Sequence, residues 1–148
     1  MNYTEKALGL FKEKFHCSQA VFATFAEKIG ISEEYALKIG SCFGGGLCNN
    51  GQVCGACSGA LMAIGMKFGH SKSDDIESKT KVTQLGNKFL ELFKEKHGSY
   101  ICKDLLKCDL STQEGKEYAI KNNLFTEFCP QMVATATELT EQLFAEQS

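Results

Sequence analysis

The spacing of apolar residues is the feature that most restricts how this chain can fold. Leu8, Phe11 and Phe15 recur at intervals of three and four residues, which places them on one face of an α-helix. The same spacing returns in most later segments, and the chain contains a single proline, Pro130. Proline is excluded from helix interiors and common in turns, so this pattern predicts an all-α protein.

Cap and stop residues divide the chain into about six to eight predicted helices. The residues expected to cap helix N-termini are Asn2, Ser32, Ser73 and Ser111. Gly30 and Gly98 are expected to end helices, and the last helix is expected to start at Cys129-Pro130, with Pro130 at the favoured first helical position. Without repeats, linkers or alternating strand patterns, residues 1–148 are expected to form one compact helical bundle.

One long irregular segment interrupts the helical pattern. Residues 40–54 read Gly-Ser-Cys-Phe-Gly-Gly-Gly-Leu-Cys-Asn-Asn-Gly-Gln-Val-Cys, which is too rich in glycine for regular structure. A loop of this kind can bring backbone amides close to a bound group. The bundle is therefore expected to carry a loop rich in glycine and cysteine.

The cysteine content is high for a helical domain of this size. The eight cysteines are Cys17, Cys42, Cys48, Cys54, Cys57, Cys102, Cys108 and Cys129. The N-terminal residues do not have the pattern of a signal peptide, so a cytoplasmic location is expected. In a reducing compartment many cysteines indicate metal ligation or thiol chemistry, although any one of them could be a small buried hydrophobe.

Charge and motif content exclude several classes of function. The formal net charge of −2, with basic and acidic residues intermixed, argues against nucleic acid as a partner. No apolar run is long enough for a membrane-spanning helix, so membrane insertion is not expected. No catalytic triad or nucleotide-binding motif is present. The sequence leaves open whether the protein is an enzyme, in which case an oxidoreductase is expected, and whether it forms a homodimer.

Several cysteines fall where helices are predicted to start. Cys17, Cys54 and Cys129 each begin a predicted helix, and Cys102 lies at or near the start of another. The helix dipole and unpaired amides at these positions stabilise thiolates, so several helix starts could converge on a negatively charged cluster. Cys54-x-x-Cys57 also has the spacing of a redox dithiol, and four thiolates suit zinc, so these alternatives remain open.

Small residues repeat every fourth position after Cys54. Gly55, Gly59 and Ala63 would form a flat helix face. Such a face lets another helix or a cofactor approach closely. We expect tight helix packing here, next to the cysteine site.

The ordered motifs resemble a known family. They are Cys17-Ser-Gln-Ala-Val, Phe43-Gly-Gly-Gly, Val53-Cys-Gly-Ala-Cys-Ser-Gly-Ala-Leu-Met, Cys102-x-x-Leu-Leu followed by Asp-Leu-Ser-Thr-x-Glu-Gly, and Cys129-Pro. Together they resemble the C-GCAxxG-C-C family of redox-active proteins, which is related to the C-terminal region of split-Soret cytochromes c. The resemblance covers nearly the whole chain.

The resemblance implies a shared cysteine site. The four cysteines of the family pattern correspond to Cys17, Cys54, Cys102 and Cys129. The resemblance implies that these residues are the ligands of an iron–sulfur cluster. It also implies that the cluster serves electron transfer or redox sensing with a redox partner protein. Without a Cys-x-x-Cys-His motif, covalent haem is not expected.

Four further cysteines depart from the family pattern. They are Cys42, Cys48, Cys57 and Cys108. These residues could replace a ligand or build a second metal site, and Cys57, one helical turn from Cys54, is the best placed to reach the main site. A metal-free thiol–disulfide protein and a zinc-binding structural or interaction module are the alternative functions.

Overall fold

Helices occupy most of the chain in the computed structural model, which describes residues 2–147. In chain order they are α1 (Tyr3–Lys12), α2 (Cys17–Thr24), α3 (Ala26–Ile29), α4 (Glu33–Gly40), α5 (Gly55–Phe68), α6 (Ile76–His97), α7 (Cys102–Leu106), α8 (Gln113–Lys121), a π-helix (Leu124–Phe128) and α9 (Cys129–Glu146). Within the described residues, extended pairing is limited to one isolated antiparallel bridge between Val53 and Ile101. The prediction of a compact all-α protein is confirmed.

Local sequence determines several of the helix ends. The Asn2 side chain accepts a hydrogen bond from the Glu5 N–H at 2.7 Å, and the Ser32 hydroxyl accepts one in α4 at 3.1 Å, as predicted. Gly30 ends α3 with φ of 80° and Gly98 ends α6 with φ of 87°. Both glycines adopt the left-handed conformation that other residues avoid, which explains why the helices stop there.

Two predicted caps are wrong by one or two residues. Asp75, and not Ser73, caps α6, where its carboxylate accepts the N–H of the third helical residue at 3.1 Å. Thr112, and not Ser111, caps α8, accepting the corresponding N–H at 2.9 Å. The Ser111 hydroxyl instead donates to the Asp109 carboxylate at 2.6 Å, so it is hydrogen-bonded to a side chain and does not cap the helix.

Two other features of the helices were not foreseen. The helix predicted to end at Gly30 is divided at Phe25, whose φ of −95° and ψ of 2° are not helical. Residues 2–147 therefore contain nine α-helices, against about six to eight predicted. The π-helix runs directly into α9, so Cys129 is the first helical residue and Pro130 the second. The π-helix has no distinctive spacing in the sequence, although π-helices are frequently found at functional sites.

Helices α2 and α5 pack closely against each other in the core. The predicted flat helix face of Gly55, Gly59 and Ala63 is buried, as are Ala56 and Ala60 beside it. At Gly59 a Cβ atom would lie only 2.5 Å from the Ser18 carbonyl oxygen. The two backbones can approach this closely only because Gly59 has no side chain.

The longer helices surround this central pair. α9 packs against α1, α2, α5 and α6. The buried face of α6 is formed by Leu85, Phe89 and Phe93, while its other faces are largely solvent-exposed. In the part of the chain that the structure describes, no helix combines the length and apolar character needed to cross a membrane.

Replacement of Gly59 by alanine is expected to destabilise the protein by about 1–3 kcal/mol, because the added methyl group would overpack the α2–α5 contact. The free energy of unfolding from urea titration measures this change. Gly65→Ala is the matched control in the same helix, because a Cβ at Gly65 meets no atom within 4 Å. That variant should be more stable than the parent protein by ~0.5–1 kcal/mol, and equal stability of the two variants would contradict the packing argument.

A candidate four-cysteine centre

Four helix starts meet at one cavity. Cys17, Cys102 and Cys129 are the first residues of α2, α7 and α9, and Cys54 directly precedes α5. All four cysteines line a cavity of about 730 Å³. We call this set the four-cysteine centre. The structure thus brings together residues that lie far apart in the sequence.

The four sulfur atoms are close enough to influence one another electrostatically. Burial raises the pKa of Cys129, and the negative charges of Cys17, Cys54 and Cys102 raise it further. Burial likewise raises the pKa of Cys102 to about 12, with additional contributions from the charges of Cys54 and Cys17. Each new thiolate in the cavity therefore makes the next one harder to form.

The Cys17 sulfur is surrounded by backbone amides. Burial, followed by the charge of Cys54, raises its pKa to about 12. The N–H groups of Gly45, Ser18 and Ala56 donate hydrogen bonds to this sulfur and act in the opposite direction. These amides come from the glycine-rich loop, from α2 and from α5, so three separate segments supply donors to one sulfur atom.

Gly55 permits the close approach of α5 to Cys17. A Cβ atom at this position would lie 2.5 Å from the Cys17 Sγ and 2.9 Å from the Phe43 carbonyl oxygen. Any other residue would push the helix start away from the sulfur. The small-residue face predicted from the sequence therefore also serves the cysteine site.

Cys54 differs from the other three cysteines. Its pKa is lowered, chiefly because the Cys57 thiol donates a hydrogen bond to its sulfur, with help from the amides of Ala56 and Cys57 and against the effect of burial. Cys57 is fully buried, and burial followed by this hydrogen bond raises its own pKa. Cys57 is not among the described residues that line the cavity, so it reaches the centre through Cys54.

At three of the four cysteines of the centre, burial affects the thiol pKa more strongly than the helix N-terminus does. We expected helix N-termini to lower the thiol pKa values, but those of Cys17, Cys102 and Cys129 are raised. The cavity wall explains this result, because it is largely apolar. Its apolar members include Leu8, Phe11, Phe15, Leu105, Leu106, Leu110, Phe125, Phe128 and Met132. Such surroundings disfavour every additional negative charge.

A comparison with models of protein families identifies the family of this chain. Residues 15–143 match the family model described as "Putative redox-active protein (C_GCAxxG_C_C)". The chain belongs to the C-GCAxxG-C-C family. No curated protein and no solved structure matches the chain. The resemblance seen in the sequence motifs is confirmed. The four cysteines that those motifs contain and that were predicted to share a site all line the cavity.

The sulfur donors suit a soft metal, but the arrangement does not suit every metal site. Four thiolates are the usual ligands of iron–sulfur clusters and of structural zinc. Among residues 2–147, no three cysteine, histidine, aspartate or glutamate side chains form a group that could hold a metal ion. The four cysteines instead share the lining of one cavity.

The additional cysteines of this family member occupy two different environments. Cys108 is half-buried beside Cys102 and Cys129, and its charge raises the pKa of both thiols. Cys42 and Cys48 are exposed in the glycine-rich loop and are not among the described residues that line the cavity. Cys57 and Cys108 are therefore neighbours of the centre, whereas Cys42 and Cys48 lie outside it.

The sequence did not reveal the cavity wall. The spacing of Leu8 and Phe11 indicated only that they share one helix face, and in the structure both line the cavity. The π-helix adds Phe125 and Phe128 to the same wall. Helical spacing indicates that a residue faces inward, but it cannot distinguish a filled core from the wall of a cavity.

The reduced, metal-free protein is expected to lose stability as the pH rises from the ordinary thiol value of 9.0 toward about 12. The raised pKa of Cys17 means that the folded chain keeps a proton that the unfolded chain releases in this range. The unfolded state then binds fewer protons, so the free energy of unfolding falls with pH. Below the thiol pKa of the unfolded chain, Cys17 is protonated in both states and its contribution to stability is fully present.

Anaerobic urea titrations across this pH range would measure the loss. Lysine and tyrosine side chains also titrate at alkaline pH, so the informative quantity is the difference between wild type and Cys17→Ala. The variant should show a shallower decline. Equal slopes for the two proteins would contradict the burial argument for Cys17.

Proposed function

We propose that Cys17, Cys54, Cys102 and Cys129 hold an iron–sulfur cluster that serves electron transfer or redox sensing. The observation that carries this proposal is their convergence on one cavity of about 730 Å³ from four separate helix starts. Membership of a redox-active family is consistent with it. The four cysteine ligands do not determine which type of cluster is bound.

The electrostatics of the cavity favour a positively charged occupant. Cys17 and Cys102 have pKa values raised to about 12, so neither is ionised near neutral pH without compensation. Metal cations would supply that compensation, because ligation replaces the proton on each sulfur. Lys12 and Lys14 contribute to the wall, but both residues are exposed, so their charges are largely screened by solvent.

Backbone amides would hold and tune such a cluster. The N–H groups of Gly45, Ser18 and Ala56 donate to the Cys17 sulfur, and those of Ala56 and Cys57 donate to Cys54. Hydrogen bonds to the sulfurs stabilise negative charge and raise the reduction potential of a cluster. These donors belong to the backbone and cannot be lost by deprotonation.

The bound group would supply one-electron transfer, while the chain controls its surroundings. The apolar wall of the cavity limits access by water, and Leu110 and Met132 within it are almost completely buried. A cluster in such a place would exchange electrons with a redox partner protein docked near the cavity mouth. We propose a cytoplasmic setting, where reduced cysteines persist.

A second candidate function rests on Cys54 and Cys57. Cys54 precedes a helix, has a lowered pKa and accepts a hydrogen bond from the Cys57 thiol. This arrangement resembles that of a metal-free thiol–disulfide pair. The complete burial of Cys57 weighs against it, because the sulfur that closes a disulfide must be reachable.

Anaerobic reconstitution with iron and sulfide would test the main proposal. We expect wild type to become brown, with iron and sulfide bound and broad visible absorbance. Cys17→Ser and Cys129→Ser are expected to lose this absorbance almost completely, because serine removes the soft thiolate ligand at similar size. Cys48→Ser is the matched control, since Cys48 is exposed outside the cavity, and it should retain the absorbance of wild type.

Other outcomes would separate the alternatives. Full iron and sulfide in Cys17→Ser or Cys129→Ser would show that the ligand set is wrong. A colourless protein with stoichiometric zinc, lost in the same variants, would favour the zinc module. A colourless, metal-free protein that forms a disulfide between Cys54 and Cys57 would favour the thiol–disulfide function.

A further inference from the structure

Cys42 and Cys48 form a close pair on the surface. The Cys48 thiol donates to the Cys42 carbonyl oxygen at 3.4 Å, and the Cys48 N–H donates to the same oxygen at 2.9 Å. The two side chains also lie within hydrogen-bonding reach of each other. Both residues are exposed, in contrast to the cysteines of the cavity.

The backbone of the glycine-rich loop is folded so that these two residues meet. Gly45 and Gly46 have φ of 62° and 73°, and the next residues, Leu47, Cys48 and Asn49, have φ of 65°, 51° and 63°. Three successive residues other than glycine in the left-handed region are costly, at roughly 1–2 kcal/mol each. The conformation is held by hydrogen bonds across the loop, including Asn49 N–H to Gly44 at 3.1 Å.

The two thiols are not equivalent. The negative charge of Cys42 is the main cause of the raised pKa of Cys48, followed by burial and by the hydrogen bond to Cys42. The Cys48 thiol therefore holds its proton more firmly than a free thiol does. The Cys48 thiol is also engaged as a donor to the Cys42 carbonyl oxygen. Because the thiolate is the nucleophile in disulfide exchange, we assign Cys42 as the attacking sulfur and Cys48 as the resolving one.

We propose that Cys42 and Cys48 form a thiol–disulfide exchange site for external disulfides, distinct from the four-cysteine centre. The Cys42 thiolate attacks one sulfur of a disulfide R–S–S–R′, which forms a mixed disulfide and releases R–S⁻. Cys48 loses its proton to solvent and attacks the Cys42 sulfur, which closes the Cys42–Cys48 disulfide and releases R′–S⁻. The dithiol is oxidised by two electrons and the external disulfide is reduced to two thiolates.

The loop also connects this pair to the centre. Gly45 lies between the two cysteines in sequence, and its N–H donates to the Cys17 sulfur. Asn49, directly after Cys48, contributes to the cavity wall. The exchange reaction does not require an iron–sulfur cluster, since neither Cys42 nor Cys48 is among the described residues that line the cavity.

Trapping with oxidised glutathione would test the exchange site. Full-length wild type, Cys42→Ser and Cys48→Ser are incubated anaerobically with the disulfide, quenched with acid, alkylated and weighed by intact-mass spectrometry. Wild type should lose two hydrogen atoms and retain little glutathione. Cys48→Ser cannot resolve the mixed disulfide, so it should retain one glutathione at about tenfold or more above wild type, because a tethered thiol acts at high effective concentration.

Two controls keep the result independent of the cluster proposal. Cys129→Ser, expected to lack a cluster, should react like wild type, so failure of one proposal is distinguishable from failure of the other. The double variant Cys42→Ser/Cys48→Ser should no longer lose two hydrogen atoms at the wild-type rate. Retention of that rate would assign the disulfide to other cysteines, and equal glutathione on wild type and Cys48→Ser would exclude Cys48 as the resolving thiol. Either result would overturn the proposal.

Discussion

The close approach of α2 and α5 is the contact on which the rest of the molecule depends. Gly59 lets the backbones of the two helices meet, and Gly55 lets the start of α5 reach the Cys17 sulfur. The same approach aligns Ala56 so that its amide donates to both Cys17 and Cys54. Core packing and the geometry of the cysteine site therefore both depend on glycine at positions 55 and 59.

The cysteine centre combines two opposing physical effects. Amides at the helix starts favour thiolates, whereas the apolar wall disfavours any charge that is not neutralised nearby. Cys54 is the residue at which hydrogen bonding prevails, because Cys57 and two amides all donate to its sulfur. At Cys129, burial and the charges of four neighbouring sulfurs prevail instead. A site with this balance is better suited to a cationic group than to four free thiolates.

Sequence patterns predicted the features that depend on a few neighbouring residues. Asn2 and Gly98 act as cap and stop because their effects are local, and the ordered family motifs indicated which four cysteines belong together. Asp75 caps α6 where Ser73 was predicted, because residue spacing alone cannot distinguish between two nearby polar residues. The raised pKa of Cys17 and the cavity wall depend on tertiary burial, which no local pattern records.

The distribution of the four cysteines along the chain has a consequence for assembly. The first of these cysteines opens α2 and the last opens α9, so the cavity is closed only when segments from both ends of the chain have docked. Long-range contacts of this kind form late in folding, because loop-closure entropy must be overcome first. Any group held by all four sulfurs would bind the native chain and not its unfolded form, so its retention would report on the folding of the entire molecule.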